Sequence, residues 1–187
     1  LTAPGFGAVH TTRTTPTGRP AACHPRQIAD CSHGHVSACR LVHQPGDPLL
    51  GQPICAECYD YPGHVLFTWH APQLWARFTT TMRRLVRHRL RDTGTDPAAV
   101  RVSFVKVMEM QRRGIPHYHA VIRLDSTTGD AEIVTPPPGA INCVELLSLV
   151  HAAAARAHLT IPGPDGDPRT LRFGAQIDAR TLHRIED

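Results

Sequence analysis

The clearest hydrophobic pattern lies between Pro72 and Arg91, where apolar side chains recur at helical spacing with arginines among them. The apolar positions are Leu74, Trp75, Phe78, Met82, Leu85, Val86 and Leu90. We therefore predict an amphipathic helix, which Gly94 and Pro97 end. A second, alanine-rich amphipathic helix is predicted from Val144 to Leu159.

Strand patterns flank these helices. Two apolar runs, Val102–Gln111 and Ile115–Leu124, are joined by Arg112-Arg113-Gly114 and predict a β-hairpin. Residues 1–9 are typical of the end of a strand running into a Gly/Pro turn, and Leu171–Ile177 predicts a last strand. The order of elements predicts an α+β fold, an antiparallel sheet with helices on one face.

The segment from residue 10 to residue 66 is different, because it is rich in Pro, Gly, Cys and His and has no sustained period. A structureless stretch of this length inside a compact domain needs something to hold it together. Five of the six cysteines lie between Cys23 and Cys58, and no leader of secretory type opens the sequence. A dense Cys/His cluster in that context favours metal binding over disulfides.

Cys55 and Cys58 form a C-x2-C knuckle, the turn that presents two thiolates to one tetrahedral ion. Upstream cysteines and a histidine offer more partners than one ion needs. We predict a structural zinc on Cys31, Cys39, Cys55 and Cys58, with Cys23 or His33 as substitutes. Buried free thiols and a redox dithiol are the alternatives. Cys143, alone at a helix start, is predicted to be a packing residue.

The hairpin carries a second candidate metal site. Side chains alternate along a strand, so His117 and His119 point to the same face. If the turn is centred on Gly114, Gln111 lies opposite His117 and Glu109 lies opposite His119. A carboxylate is the stronger ligand for Mg²⁺ or Mn²⁺, so Glu109 is preferred and Gln111 is second. The alternative is a chance His-x-His pair in a chain with 13 histidines.

The charged residues indicate a possible binding partner. The net charge is +4, and Lys106 is the only lysine, a bias that codon usage in a high-GC genome also explains. The arginines cluster in ways that suit phosphate backbones, although a solvated helix face is the simpler interpretation of any one cluster. The candidate DNA-binding residues are Arg83, Arg84, Arg87, Arg112 and Arg113. No run of 18 apolar residues occurs, which excludes a membrane span and leads us to expect a cytoplasmic protein.

The motifs together resemble a known family. His117-Tyr118-His119 between apolar residues is similar to the H-hydrophobic-H motif of HUH endonucleases. The opening LTAPGFG resembles the first-motif strand of rolling-circle plasmid initiators of the RepSA type. Similar pieces are CAECYDY at 55–61, LWARF at 74–78, VSFVKV at 102–107 and RTLRFGAQ at 169–176. The resemblance implies an HUH/RRM-like palm, with residues 1–17 and 67–187 as its core and residues 18–66 as a zinc-binding insertion.

The resemblance also implies a reaction. In the family, a tyrosine hydroxyl attacks a phosphodiester at the replication origin, with a divalent ion on the scissile phosphate, and single-stranded or hairpin origin DNA is the substrate. The nucleophile belongs to a YxxK motif after the last strand, and no such motif occurs here. Since Tyr118 alternates away from the histidines, and Tyr59 and Tyr61 adjoin the cysteine knuckle, we expect the nucleophile beyond Asp187. Residues 1–187 alone are then expected to be inactive.

Two other functions are compatible with the same residues. A non-catalytic, zinc-stabilised DNA-recognition module needs only the cysteines and arginines. A metallohydrolase acting on a small substrate needs only His117 and His119. A YxxK helix after the last strand is the feature that decides for the nickase.

Overall fold

A computed structural model of the chain describes residues 1–26, 31–34, 37–127, 137, 141–164 and 166–182. Residues 27–30 and 35–36 of the predicted insertion lie outside these ranges. The chain divides into two compact units: the first comprises Leu1–Pro4, Trp69–Glu109 and Pro116–Asp187, and the second comprises Gly5–Thr68 and Met110–Ile115. Within the described ranges, no helix is both long and apolar enough to cross a membrane.

The described residues combine helices with small two-stranded sheets, as expected for an α+β chain. The helices are α1 (Tyr61–Asp92) and α2 (Cys143–Arg156), with a short 3-10 turn at Pro97–Ala99. The strands are β1 (Arg13–Thr14), β2 (Pro20–Ala21), β3 (Val100–Met110), β4 (Pro116–Ser126), β5 (His158–Pro162) and β6 (Pro168–Arg172). β1 pairs with β2, β3 with β4, and β5 with β6.

Helix α1 begins at Tyr61, so the predicted start at Pro72 was wrong. Asp60 begins the helix: its carboxylate accepts the Gly63 N–H (2.9 Å), and its carbonyl accepts the His64 N–H (3.0 Å). A Cβ at position 63 would lie 2.0 Å from the Asp60 carboxylate, so a larger residue here would displace the carboxylate that caps the helix. Pro72 lies inside the helix. Proline is more often found in the first turn of a helix or at a break in it.

The apolar face of α1 forms the core of the first unit, as the periodicity predicted. Its largest fully buried side chains in this unit are Leu74, Phe78, Met82, Val86 and Leu90. Trp75 lies against the hairpin, with its ring centroid 5.3 Å from that of Phe104 and 5.5 Å from that of Tyr118. This packing fixes one face of the hairpin on the helix.

The first residues of the chain extend the hairpin. Leu1 and Tyr118 exchange two backbone hydrogen bonds (2.7 and 2.9 Å), and the Gly174 N–H donates to the Thr2 carbonyl (2.8 Å). Residues 1–3 therefore run between β4 and residues 173–174. A Cβ on Gly174 would lie 2.4 Å from the Ala3 carbonyl oxygen, which only glycine permits.

The end of the second predicted helix was wrong. Helix α2 stops at Arg156, and the chain turns at once into β5, which pairs antiparallel with β6. Asn142 caps the start of α2: its side chain accepts the Glu145 N–H, and the Glu145 carboxylate accepts the Asn142 N–H, which completes a capping box. Cys143 is exposed, so its predicted packing role was also wrong.

Candidate functional site

The two hairpin histidines lie side by side on β4. Their ring centroids are 4.6 Å apart, and Nε2 of His119 lies 3.1 Å from a carboxylate oxygen of Glu109 on β3. His117 is half-buried, while His119 and Glu109 are exposed. The strand alternation thus places two imidazoles and one carboxylate together on the hairpin face that α1 does not cover.

The environment of His117 suits a metal ligand. Its Nδ1 is buried and has no hydrogen-bond partner among the residues that the structure describes. Burial lowers the pKa of His117, the Leu1 amino group and His119 lower it further, and Glu109 opposes them. A neutral imidazole with a free ring nitrogen is the form that binds a divalent ion.

Gln111 lies in the turn of the hairpin, which belongs to the second unit. Its N–H donates to the Ile115 carbonyl (2.9 Å), and its carbonyl accepts the Gly114 N–H (2.7 Å). Gln111 therefore pairs with Ile115, and the predicted register, in which Gln111 lies opposite His117, was wrong.

Tyr118, the tyrosine between the two histidines, does not share their face of β4. Tyr118 points the other way, is only 2% exposed, and its hydroxyl has no hydrogen-bond partner in the described part of the chain. In the second unit, the Tyr59 hydroxyl lies 3.2 Å from Nδ1 of His64, and the exposed ring of Tyr61 packs on that of Tyr59. Burial raises the pKa of both Tyr118 and Tyr59, although Arg113 opposes the shift at Tyr59. Neither buried phenol is set up as a nucleophile.

Two groups of four Cys and His side chains lie in the second unit, and each could hold a metal ion. We call one the knuckle cluster: Cys31, His33, Cys55 and Cys58. We call the other the buried cluster: His10, Cys23, Cys39 and His43. In each, the four ligand atoms all lie within 4.8 Å of one another.

The knuckle cluster has the dimensions of a tetrahedral site. The Cys31 sulfur lies 3.6 Å from that of Cys55 and 3.5 Å from that of Cys58, and Nδ1 of His33 lies 3.3 Å from the Cys58 sulfur. Zinc bond lengths imply tetrahedron edges of about 3.3–3.8 Å between such atoms. The thiols of Cys31 and Cys55 raise the pKa of Cys58 to about 12. A bound cation would instead lower the pKa of this thiol.

The buried cluster is more enclosed. Cys23 is 0% exposed, Cys39 7% and His43 5%. Nε2 of His43 lies 3.3 Å from the Cys39 sulfur and 3.1 Å from Nδ1 of His10. Burial would raise the pKa of Cys39, but hydrogen bonds from the Leu41 backbone and from His43 outweigh it and lower the pKa. At Cys23 burial prevails and raises the pKa.

The five candidate DNA-binding arginines differ in their surroundings. On α1, Arg83, Arg84 and Arg87 are exposed, with the Arg83 guanidinium 6.0 Å from the Phe104 ring centroid. In the second unit, Arg112 donates to the Pro45 carbonyl (3.2 Å), and Arg113 hydrogen-bonds to Tyr59. Among the five, the α1 arginines are the ones whose guanidinium groups make no hydrogen bond to another residue that the structure describes.

Comparison with known proteins identifies the family. The whole chain, residues 1–187, matches the model of the RepSA family, described as "Replication initiator protein, pSAM2". The chain belongs to this family. A relative named replication initiator protein, from Streptomyces ambofaciens, is 39% identical over 191 residues, which cover all of the RepSA-family chain and 37% of the relative. No solved structure matches it. The resemblance inferred from the sequence is thus confirmed.

In this RepSA-family chain the predicted zinc ligands fall into two places. Cys31, Cys55 and Cys58 lie together, and their fourth neighbour is His33, which was predicted as a substitute. Cys39 lies instead beside Cys23 in the buried cluster. The sequence analysis missed His10 and His43; the Cys39-x3-His43 spacing, typical of zinc ligand pairs, was the signal that pointed to His43.

Proposed function

We propose that this RepSA-family chain is a DNA-binding, metal-dependent single-strand endonuclease domain of a rolling-circle replication initiator. The observation that carries the proposal is the grouping of His117, His119 and Glu109 on the open face of the hairpin. Family membership supports it, because the family is described as replication initiators. The pairing of Leu1 with Tyr118 of β4 supports an HUH/RRM-like palm.

The donor set fits Mg²⁺ or Mn²⁺. His117 offers a buried ring nitrogen without a partner among the described residues, and Glu109 offers the carboxylate that these ions prefer. We propose His117, His119 and Glu109 as the ligands. A bound ion would polarise the scissile phosphate and stabilise its developing negative charge.

The reaction proposed is a transesterification. A tyrosine hydroxyl attacks the phosphorus, the P–O3′ bond breaks, and the products are a 5′-phosphotyrosine link and a free 3′-OH. Tyr118 is buried on the opposite face of β4, so the nucleophile is expected from a YxxK motif beyond Asp187. The exposed arginines of α1 and those of the hairpin turn would contact phosphates of single-stranded or hairpin origin DNA.

The knuckle cluster is proposed to bind a structural zinc. Three thiolates and one imidazole in tetrahedral spacing form a closed site, with no position left for substrate. Its role would be to hold the loop-rich segment in place. Catalysis and structural support would thus use different metals on different residues.

Mn²⁺ binding tests the hairpin site directly. Residues 1–187, loaded with zinc and mixed with single-stranded origin DNA, are titrated with Mn²⁺ and followed by electron paramagnetic resonance. We expect one exchangeable Mn²⁺ that His119→Ala and Glu109→Ala each weaken by tenfold or more, while the exposed-histidine control His151→Ala binds normally. Equal Mn²⁺ binding by all four proteins would refute the hairpin site.

A second candidate function is a non-catalytic DNA-recognition module. The observation in its favour is that eight Cys and His ligands are gathered in the second unit, independent of the hairpin site. That function predicts salt-dependent DNA binding with no effect of Mn²⁺ and no effect of His119→Ala. The Mn²⁺ titration therefore separates the two candidates.

A further inference from the structure

The ligands of the two clusters alternate along the chain. His10 and Cys23 belong to the buried cluster, and the next pair, Cys31 and His33, belongs to the knuckle cluster. The third pair, Cys39 and His43, returns to the buried cluster. The last pair, Cys55 and Cys58, returns to the knuckle cluster. Pairs one and three share one site, and pairs two and four share the other.

We propose that the buried cluster is a second zinc site, and that the two ions cross-brace residues 10–58 into one binuclear module. This goes beyond the single structural zinc of the proposed function. Two thiolates and two imidazoles are a common donor set of structural zinc. The measured separations of 3.1 Å (His10 to His43) and 3.3 Å (Cys39 to His43) approach the edges of a zinc tetrahedron, about 3.3–3.6 Å.

Backbone pairing brings the four ligands together. His24 and Cys39 exchange two hydrogen bonds of 2.8 Å, and the Cys23 N–H donates to the Leu41 carbonyl (2.9 Å). His10 is held in the same manner from another direction, because its N–H and carbonyl bond to Gln52 and Gly51 (both 2.9 Å). The segment paired with His10 leads directly into Cys55 of the knuckle cluster, so the two sites share a framework.

Two contacts around the buried cluster are those that zinc ligands use. The Thr11 N–H donates to the Cys23 sulfur (3.2 Å), which stabilises a thiolate. The Asp47 carboxylate lies 2.6 Å from Nδ1 of His43, on the side of the ring away from the cluster, which leaves Nε2 to face Cys39. Carboxylates commonly orient zinc-binding histidines in this way. His24, whose Nδ1 lies 3.0 Å from the Cys23 sulfur, is the neighbour that could replace His10.

The cross-brace explains how this segment folds with little regular structure. Between residues 10 and 58 the described strands are only β1 and β2, of two residues each. One ion would tie residue 10 to residue 43, and the other would tie residue 31 to residue 58. Because the intervals overlap, each ion constrains the loops that carry the ligands of the other, and binding energy becomes folding energy.

Zinc stoichiometry tests the proposal. Native mass spectrometry of residues 1–187 is expected to show two zinc ions for the unaltered protein and one each for Cys23→Ser and Cys58→Ser. The matched control Cys143→Ser removes an exposed thiol outside both clusters and should keep two. One zinc in the unaltered protein, lost on Cys58→Ser but kept on Cys23→Ser, would leave the knuckle site standing and overturn the second site.

Cobalt spectra keep the test decisive if a serine variant does not fold. Cys23→His retains a ligating atom and should still bind two Co²⁺, with the thiolate-to-cobalt charge-transfer band reduced from five sulfur ligands to four. A band unchanged from that of the unaltered protein would mean that Cys23 does not bind metal and would overturn the proposal. A Cys23–Cys39 disulfide in freshly purified protein would do the same.

Discussion

The carboxylate of Asp47 lies 2.6 Å from Nδ1 of His43, while Nε2 of the same ring faces the sulfur of Cys39 at 3.3 Å. The hydrogen bond to Asp47 raises the pKa of His43, against the effect of burial. In the neutral ring this contact favours a hydrogen on Nδ1, which leaves the lone pair of Nε2 directed towards the cluster. This relationship would be hard to explain if the buried cluster were merely a set of packed thiols.

Asp47→Ala should weaken the zinc affinity of the buried cluster by about 10–100-fold, since the carboxylate orients the histidine and raises its basicity as a ligand. Competition with a chromophoric chelator measures the loss. The knuckle cluster should release its zinc as before, and the exposed control Asp178→Ala should change neither site. If Asp47→Ala alters neither zinc affinity, His43 is not a zinc ligand.

The ion pair between α1 and α2 gives a pH-dependent stability. The Nε–H of Arg89 donates to Glu145 (3.1 Å), and the Asn142 N–H donates to the same carboxylate (3.1 Å). The Arg89 bond and then the Asn142 bond lower the pKa of Glu145 below its ordinary 4.5. A carboxylate whose pKa is lowered by folding stabilises the folded state at pH values above its ordinary pKa. This stability is lost as the pH falls through the pKa of the folded state.

Glu145→Gln should therefore lower the melting temperature at pH 7, and the difference from the unaltered protein should shrink as the pH falls below 4.5. Glutamine preserves the capping box, so the variant isolates the charge. Thermal unfolding followed by circular dichroism across this range checks it. A difference that stays constant with pH would show that the charge of Glu145 contributes nothing to stability.

The buried hydroxyl of Tyr118 supplies a prediction about both stability and mechanism. Because it has no hydrogen-bond partner in the described residues, Tyr118→Phe removes a desolvated polar group and should leave stability unchanged or raise it by up to about 1–2 kcal/mol. The Lys106 ammonium lies 4.6 Å from the Tyr118 ring centroid, and a phenylalanine ring at position 118 would keep this cation–π contact.

In the full-length protein the same substitution should leave nicking and adduct formation intact, whereas residues 1–187, with or without it, should form no covalent DNA adduct. Chemical denaturation and a denaturing gel measure the two effects. Loss of adduct formation in Tyr118→Phe, with the fold preserved, would make Tyr118 the nucleophile and would contradict the placement of its hydroxyl away from the histidines.

The exposed arginines of α1 should set the salt dependence of DNA binding. Neutralising two phosphate contacts by Arg84→Gln with Arg87→Gln should reduce the slope of log K against log salt by about 1.4 on single-stranded DNA. Arg180→Gln, at an arginine already paired with Asp178, is the matched control. Fluorescence anisotropy at several salt concentrations provides the slopes, and equal slopes for both variants would exclude α1 from the DNA contact.

Local patterns predicted the two hairpin strands and much of both helices, but the bounds of the last predicted strand, Leu171–Ile177, were wrong, since β6 runs from Pro168 to Arg172. Period-two alternation placed His117 and His119 on one face and Tyr118 on the other, and period-3.6 spacing identified the buried face of α1. The start of α1 was missed because Pro72 is a common first-turn residue, whereas here a capping aspartate further upstream begins the helix. Strand β5 was missed because it follows α2 without an intervening glycine or proline.

The candidate metal ligands could not be sorted into two clusters by spacing alone. Which cysteine joins which cluster depends on long-range backbone pairing, such as that of His24 with Cys39 and of His10 with Gly51 and Gln52. Such pairings have no short sequence signature in a segment without periodicity. The chemistry of the segment was therefore predictable, but the partition of Cys23 and Cys39 from Cys31 was not.

The proposed catalytic role of the hairpin is tested most directly by nicking. Full-length protein is incubated with labelled single-stranded origin DNA and Mn²⁺, and covalent adducts are quantified on a denaturing gel. We predict that His117→Ala and His119→Ala each lower the nicking rate by about 100-fold or more. Without the proposed metal ion, the negative charge that develops on the scissile phosphate in the transition state is no longer stabilised. Zinc content and DNA affinity should stay close to those of the unaltered protein, as in the control His151→Ala. Nicking at the unaltered rate by both hairpin variants would contradict the account.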